Sequence, residues 1–273
     1  MSWVYAMTDP AKEALRANQE HYAQPGAFEY VSNSYHSRRL QVAAELLRAH
    51  LMPSDDQLVL VDIGPGDSSP VGEDAYPQAV RIAIDASVEA LDGARGFTAK
   101  ICADVTAGLP LRSASLNAIF CGELIEHLFD PRRFLDECHR VLMPGGLLLV
   151  TTPNIANLQD RLRFLGGRAP RHIDPLHEYI RLHIRPFTPE LLERAFTSGG
   201  FTTLEVRSNF VDFHRRGKRY NLPLLARTFP RLGGTIVAIG QKPNNRTRTR
   251  NATIGTSPSS LDCYSLQRKR NSP

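Results

Sequence analysis

Three acids sit at or near the ends of short apolar runs: Asp62 in Val59–Ile63, Asp85 after Val80–Ile84, and Asp104 after Ile101–Ala103. Gly64-Pro65-Gly66 follows the first run at once. Two glycines let a backbone turn sharply and approach a ligand with no Cβ in the way. Carboxylates beside such a turn accept hydrogen bonds from a cationic or hydroxyl-bearing ligand. No Gly-Lys-Ser/Thr follows the glycines, so this is not a phosphate-cradling P-loop. Ser69 stands where a dinucleotide fingerprint needs its third glycine, and Asp62 would repel a pyrophosphate. The turn suits a ligand that carries positive charge. Asp85 lies 19 residues past Gly66, where an acid can bond ribose hydroxyls or cap the next helix. Asp104 reads as a ligand acid or as a turn residue. His127 belongs to the residue class that moves protons near neutral pH, and His183 could face the same cleft.

Strands must position these groups. The runs at 59–63, 80–85, 101–105, 116–121 and 147–150 are short, apolar and bounded by turn residues. Asp130-Pro131 opens a helix with Phe134, Leu135, Cys138, Val141 and Leu142 at helical spacing, and Pro144-Gly145-Gly146 ends it. Thr188-Pro189-Glu190 opens another, closed by Gly199-Gly200 and followed by a strand over 201–206. Strands alternating with helices imply a parallel sheet. Two further helices are expected near 10–20 and 36–51, the second with Leu40, Ala43, Ala44, Leu47 and Leu51 on one face. Tyr22, Phe28, Tyr30 and Tyr35 lie between or beside them and could close over a ligand or pack on the sheet.

The order Glu123-x-x-Glu126-His127, Asp130-Pro131, Arg140-Val141-Leu142-x-Pro144-Gly145-Gly146 and Thr152-Pro153-Asn154 resembles the ubiquinone-type and related small-molecule methyltransferases. The acid-then-glycine turn resembles motif I of class I S-adenosylmethionine-dependent methyltransferases. The resemblance covers about 58–205, with a weaker echo at 233–242, and departs from the pattern at Ser68, where a third glycine is usual. It implies an α/β fold: a doubly wound, Rossmann-like three-layer sandwich with a seven-stranded, mostly parallel sheet whose last strand is antiparallel. It implies S-adenosyl-L-methionine as cofactor, bound by Asp62, Gly64, Gly66, Asp85, Asp104, Val105 and Glu123, with Asp104 at the adenine amino group. His127 is then the base for a hydroxyl acceptor and His183 a residue that orients it. Glu123, Glu126, His127 and His183 also resemble the metal set of small-RNA 3′-end 2′-O-methyltransferases. Glu-x-x-Glu-His occurs in metal-free relatives too, and no metal is expected.

Composition bounds the rest. With 273 residues and 42% hydrophobic content, the chain can bury a full core, and no apolar run is long enough to span a bilayer. The expected organisation is a helical cap over 1–57, a methyltransferase domain over 58–242 with inserts at 155–187 and 207–232, and a disordered basic tail over 243–273. The net charge of +5 comes from that tail: from Gln241 onward seven Lys/Arg face one acid. Nucleic acid is expected to touch the chain only through it. The first insert holds Arg161, Arg163, Arg168, Arg171, Arg181 and Arg185, which would favour an anionic small-molecule acceptor. The second reads as a basic segment followed by an apolar-basic helix through Leu222, Leu224, Leu225 and Phe229. Cys102, Cys121 and Cys138 are expected in the core as reduced thiols, which with Asp9, Lys12 and Glu13 near the start points to the cytoplasm. The expected reaction is methylation of a small or conjugated metabolite at oxygen. The alternatives are an RNA 2′-O-methyltransferase and a non-catalytic binding protein on the same fold.

Overall fold

The computed structural model describes residues 10–22, 34–52, 57–66, 68–177, 180–215 and 218–244. The expectations for Phe28, Tyr30 and the tail beyond residue 244 fall outside them. Seven strands form one sheet in the order β3-β2-β1-β4-β5-β9-β6. They are β1 (Val59–Ile63), β2 (Val80–Asp85), β3 (Ala99–Cys102), β4 (Leu116–Gly122), β5 (Leu142–Pro153), β6 (Thr202–Arg207) and β9 (Thr235–Gln241). The pairs from β3 to β5 are parallel, and β9 runs antiparallel between β5 and β6. This is the doubly wound sheet with an antiparallel last strand.

The central strands are mainly apolar because both faces are covered. Leu60, Ala118, Phe120, Leu147, Leu149, Val237 and Ile239 point to one side and pack with α2 (Ser34–His50). Their alternates Val61, Ile63, Ile119, Cys121, Leu148, Val150, Ile236 and Ala238 point to the other, against α4 (Pro131–Val141) and α6 (Pro189–Ser198). Period-two alternation thus feeds two cores, and each large apolar side chain contributes roughly 1.5–3 kcal/mol. Asp130 and Thr188 cap α4 and α6 by accepting from the Arg133 and Leu191 amides.

Three expectations change. The buried stripe of α2 is Arg39, Val42, Ala43, Leu46 and Leu47, about one residue round from the expected face, and it includes an arginine. Cys102 is exposed, whereas Cys121 and Cys138 are buried. The second insert is a hairpin of β7 (Val211–Arg215) and β8 (Lys218–Leu222), followed by the short helix α7 (Pro223–Thr228). Phe213 and Tyr220 stack across the hairpin with centroids 5.1 Å apart, the kind of cross-strand pair that favours a strand over a helix.

Asn154 pins the far end of β5. It is wholly buried, donates from Nδ2 to the carbonyls of Gly233 at 2.8 Å and Arg231 at 3.1 Å, and accepts the Ala156 amide at 2.9 Å. It therefore ties β5 to the segment that enters β9. Asn154→Ala leaves these backbone groups without their partner in the core, and about 2–4 kcal/mol of unfolding free energy should be lost. Urea titration checks this, and a loss within error would mean that water replaces the amide.

Candidate functional site

The parallel strands end along one edge, and a cavity opens there. Its wall includes Gly64 and Gly66 after β1, Asp85 to Ser87 after β2, Asp104 and Val105 after β3, and Gly122 to Leu124 after β4. His127, Leu128 and Phe129 continue it, and Ala14, Leu15, Asn18 and Gln19 of α1 (Pro10–Tyr22) close one side. Six of the seven expected cofactor residues thus meet at one surface. Asp62 is the exception. It is wholly buried and is not part of the cavity wall. His183 also does not line the cavity.

Each acid is held differently. Gly64 takes a left-handed φ of 74°, and its amide donates to the Ile84 carbonyl at 2.9 Å, so the glycine turn is tied to the end of β2. Asp85 Oδ1 accepts the Ser87 amide at 2.8 Å, and Ser87, not Asp85, caps α3 (Val88–Gly93). Burial raises the pKa of Asp85. Asp104 Oδ1 accepts both the amide and the hydroxyl of Thr106, at 2.8 and 2.7 Å, so it closes its own turn while facing the cavity. Glu123 has φ of 53°, a left-handed conformation that costs an ordinary residue about 1–2 kcal/mol. Its amide donates to the Thr151 carbonyl at 2.9 Å, and Oε1 accepts from Thr151 Oγ1 at 3.0 Å.

Arg39 is the functional residue that the sequence reading missed. It lines the cavity, is 6% exposed, and donates from Nη1 to Thr151 Oγ1 at 2.7 Å. A relay therefore runs from Arg39 through Thr151 to Glu123. Gly122 makes room for it, because a Cβ there would lie 2.8 Å from Arg39 Nη1 and 2.7 Å from Phe120 Cζ. The available signal was an arginine at the spacing of an otherwise apolar helical stripe. Gln19 was missed as well, and its Nε2 donates to the Ala86 carbonyl at 3.1 Å, fastening α1 over the cavity.

His127 is buried, and Nδ1 lies 3.1 Å from the Leu182 carbonyl. A ring nitrogen facing a carbonyl carries the proton, which makes Nε2 the basic nitrogen. The His183 ring meets His127 edge-on with centroids 4.8 Å apart, and burial, with nearby His127, lowers the His183 pKa to about 3. Single ligand atoms of Glu126, His127 and His183 all lie within 4.8 Å of one another. Glu123 is outside that group. Glu126 accepts from Thr152 Oγ1 at 2.9 Å, and burial together with the Glu123 charge holds its pKa well above the carboxylate range. None of the six insert arginines lines the cavity. Arg185 comes closest, its guanidinium 5.1 Å above the ring of the wall residue Phe129.

Burial pushes the Asp62 carboxyl up to about 7, against partial relief from the Ser69 hydroxyl and Arg39. Neither oxygen has a donor in full hydrogen-bond geometry. A raised carboxyl pKa means that the folded chain holds a proton the unfolded chain has lost. Asp62 therefore favours folding at low pH, and that contribution is lost as pH rises from about 4 to about 7. Asp62→Asn should gain stability over the wild type across this window by about 2 kcal/mol or more, then hold a constant difference above it. Melting curves of both chains from pH 4 to 8 test this, and parallel curves would refute it.

Residues 61–150 match the family described as the methyltransferase domain. Over 131 residues the chain is 36% identical to a Mycolicibacterium smegmatis protein named a probable S-adenosylmethionine-dependent methyltransferase, covering 48% of this chain and 42% of that one. It is 32% identical over 124 residues to a malonyl-[acyl-carrier protein] O-methyltransferase of Coxiella burnetii, covering 44% of this chain and 42% of that one. The chain thus spans less than half the length of these relatives. In fold it is similar to the partner of the Trm112 methyltransferase activator in a Haloferax volcanii complex, with a TM-score of 0.60 and 18% identity over 85% of this chain and 98% of that one. No described helix is long and apolar enough to cross a membrane. Residues 61–150 therefore carry a methyltransferase domain.

Proposed function

We propose that this chain transfers a methyl group from S-adenosyl-L-methionine to an oxygen of a small or carrier-conjugated metabolite. The observation that carries the reading is the charge pattern of the cavity: acids at three strand ends, one buried arginine and the glycine turn line the same wall. A zwitterionic, cationic nucleoside fits that pattern. Asp85 is placed to accept ribose hydroxyls, and Asp104 with Val105 to face the base. Glu123 and the Gly64–Gly66 turn suit the ammonium end, with Arg39 at the carboxylate. Asp62, behind the wall, makes no direct contact. When bound, the cofactor supplies an activated methyl group on a sulfonium. His127 Nε2 takes the proton of an acceptor hydroxyl, and His183, neutral at working pH, supports the His127 ring. The oxygen acceptor rests on this histidine and on the O-methyltransferase relative from Coxiella burnetii.

Calorimetry with S-adenosylhomocysteine tests the cofactor site. Wild type should bind, and Asp85→Ala and Arg39→Ala should each bind at least about tenfold more weakly, since each removes a charge-assisted hydrogen bond. No binding by the folded wild type would sink the reading and move a non-catalytic role forward.

An acceptor screen then tests the base. With a hydroxyl acceptor, His127→Ala should lower kcat by roughly 10²–10⁴-fold and leave S-adenosylhomocysteine affinity nearly unchanged. Equal kcat in both chains would remove His127 from the chemistry. Preferred turnover of RNA would replace the metabolite reading with the nucleic-acid alternative.

A further inference from the structure

The helix α5 (Leu158–Leu165) is turned inside out. Asp160, the acid of its first turn, is 1% exposed, while Leu162 is 57% exposed, Phe164 72% and Leu165 83%. The inward acid has a local cause. Its Oδ2 accepts from Asn157 Nδ2 at 2.6 Å, and its Oδ1 accepts from the amide and Nε of Arg171, both at 3.1 Å. His172 Nδ1 lies 3.4 Å from Oδ2. Burial alone would raise the pKa of Asp160, but these donors outweigh it and hold the carboxyl well below the usual range. Arg171 Nη1 lies 3.7 Å from Asp212 Oδ2 on β7, so one ionic cluster joins α5 to the hairpin. The orientation of α5 is therefore fixed from within, and its apolar face is left outside.

Scattered exposed leucines need no explanation, but three large apolar groups in the last four residues of one helix do. The apolar exposure continues at Leu176, and on α7 and the residue after it at Leu224 and Phe229. Basic groups are exposed on or beside the same elements: Arg161 on α5, Arg168 just after it, Lys218 on β8 and Arg227 on α7. Over 158–177 the one exposed acid is Asp174. A nucleic acid would use the arginines and leave the leucines wet. A protein of ordinary composition would use the leucines without needing this run of positive charge. A leaflet with anionic headgroups presents phosphate outside and hydrocarbon within, which matches both.

We propose that α5 and the turn after it, residues 158–168, dock onto an anionic lipid surface. Leu162, Phe164 and Leu165 enter the boundary between headgroups and acyl chains, while Arg161 and Arg168 meet the lipid phosphates. This inference does not rest on methyl transfer, because vesicle binding is read with no acceptor or cofactor present.

The test is sedimentation of the full chain with vesicles of phosphatidylcholine alone or with roughly one-third phosphatidylglycerol. Wild type should bind the anionic vesicles at least about tenfold more tightly than the neutral ones. The triple variant L162S/F164S/L165S and the double variant R161Q/R168Q should each lose about tenfold on anionic vesicles, with melting temperatures at or above that of wild type. Absence of wild-type binding overturns the proposal. So does a triple variant that binds as well as wild type, since the attraction would then lie elsewhere in the chain. A wild type that is dimeric by sedimentation velocity and does not bind vesicles, beside a monomeric triple variant, also overturns it and assigns the face to a second copy.

Discussion

The hydrogen-bond relay from Arg39 through Thr151 to Glu123 is the interaction that holds the site to the fold. It links α2, β5 and the turn after β4, segments far apart in the chain. Without a cation there, the acids Asp62, Glu123 and Glu126 would crowd a dry region with no counter-charge. Arg39 relieves them partly, lowering the pKa of Asp62 and of Glu126 against the burial that raises both. The relief is incomplete, and a half-compensated acidic region is a place where a cationic ligand gains from binding. The strained φ of Glu123 fits the same picture. The amide bond to the Thr151 carbonyl and the side-chain bond to the Thr151 hydroxyl over-determine that residue, so backbone strain is held at the cavity wall.

The scaffold was legible in the sequence because its signals are local. A buried parallel strand must be mainly apolar along its length, and β1, β2, β4 and β5 are. Helix starts at Asp130-Pro131 and Thr188-Pro189 carry their caps in adjacent residues. The acids at strand ends were legible for a geometric reason: the residue that ends a parallel strand stands at the ligand edge. What stayed hidden depends on contacts distant in sequence. Arg39 reads as one more polar residue on a helix until Thr151, more than a hundred positions away, accepts its proton. Asp62 has the right type and position, yet it sits behind the wall, because a strand residue next to a glycine turn can point into the core as readily as out of it. The hairpin β7–β8 was missed because its strands carry charged residues and its turn lacks a strong two-residue signal, so a helical spacing of leucines after it looked dominant.

The two histidines show how burial changes a role without changing identity. Both were expected in the cleft. His127 reaches it with its tautomer set by the Leu182 carbonyl. His183 does not line it; its ring packs edge-on against His127, and desolvation with the neighbouring imidazole keeps it neutral. A neutral ring packed edge-on against His127 restrains that ring and adds no charge beside it. Sequence spacing cannot separate the two, because the difference is which ring reaches the cavity wall.

The residues that match the family, 61–150, supply the sheet edge and the glycine turn. Other parts of the site and its surroundings lie outside that span: α1 and Arg39 at the cavity wall, and the two inserts beyond β5. Those inserts are not independent decorations. Arg171 lies against Asp160 on α5 and Asp212 on β7, and Arg185, through Phe129 and the Glu126 carbonyl, ties the first insert back to the wall of the cavity. Arg185 and Phe129 stand where the first insert meets the wall of the cavity.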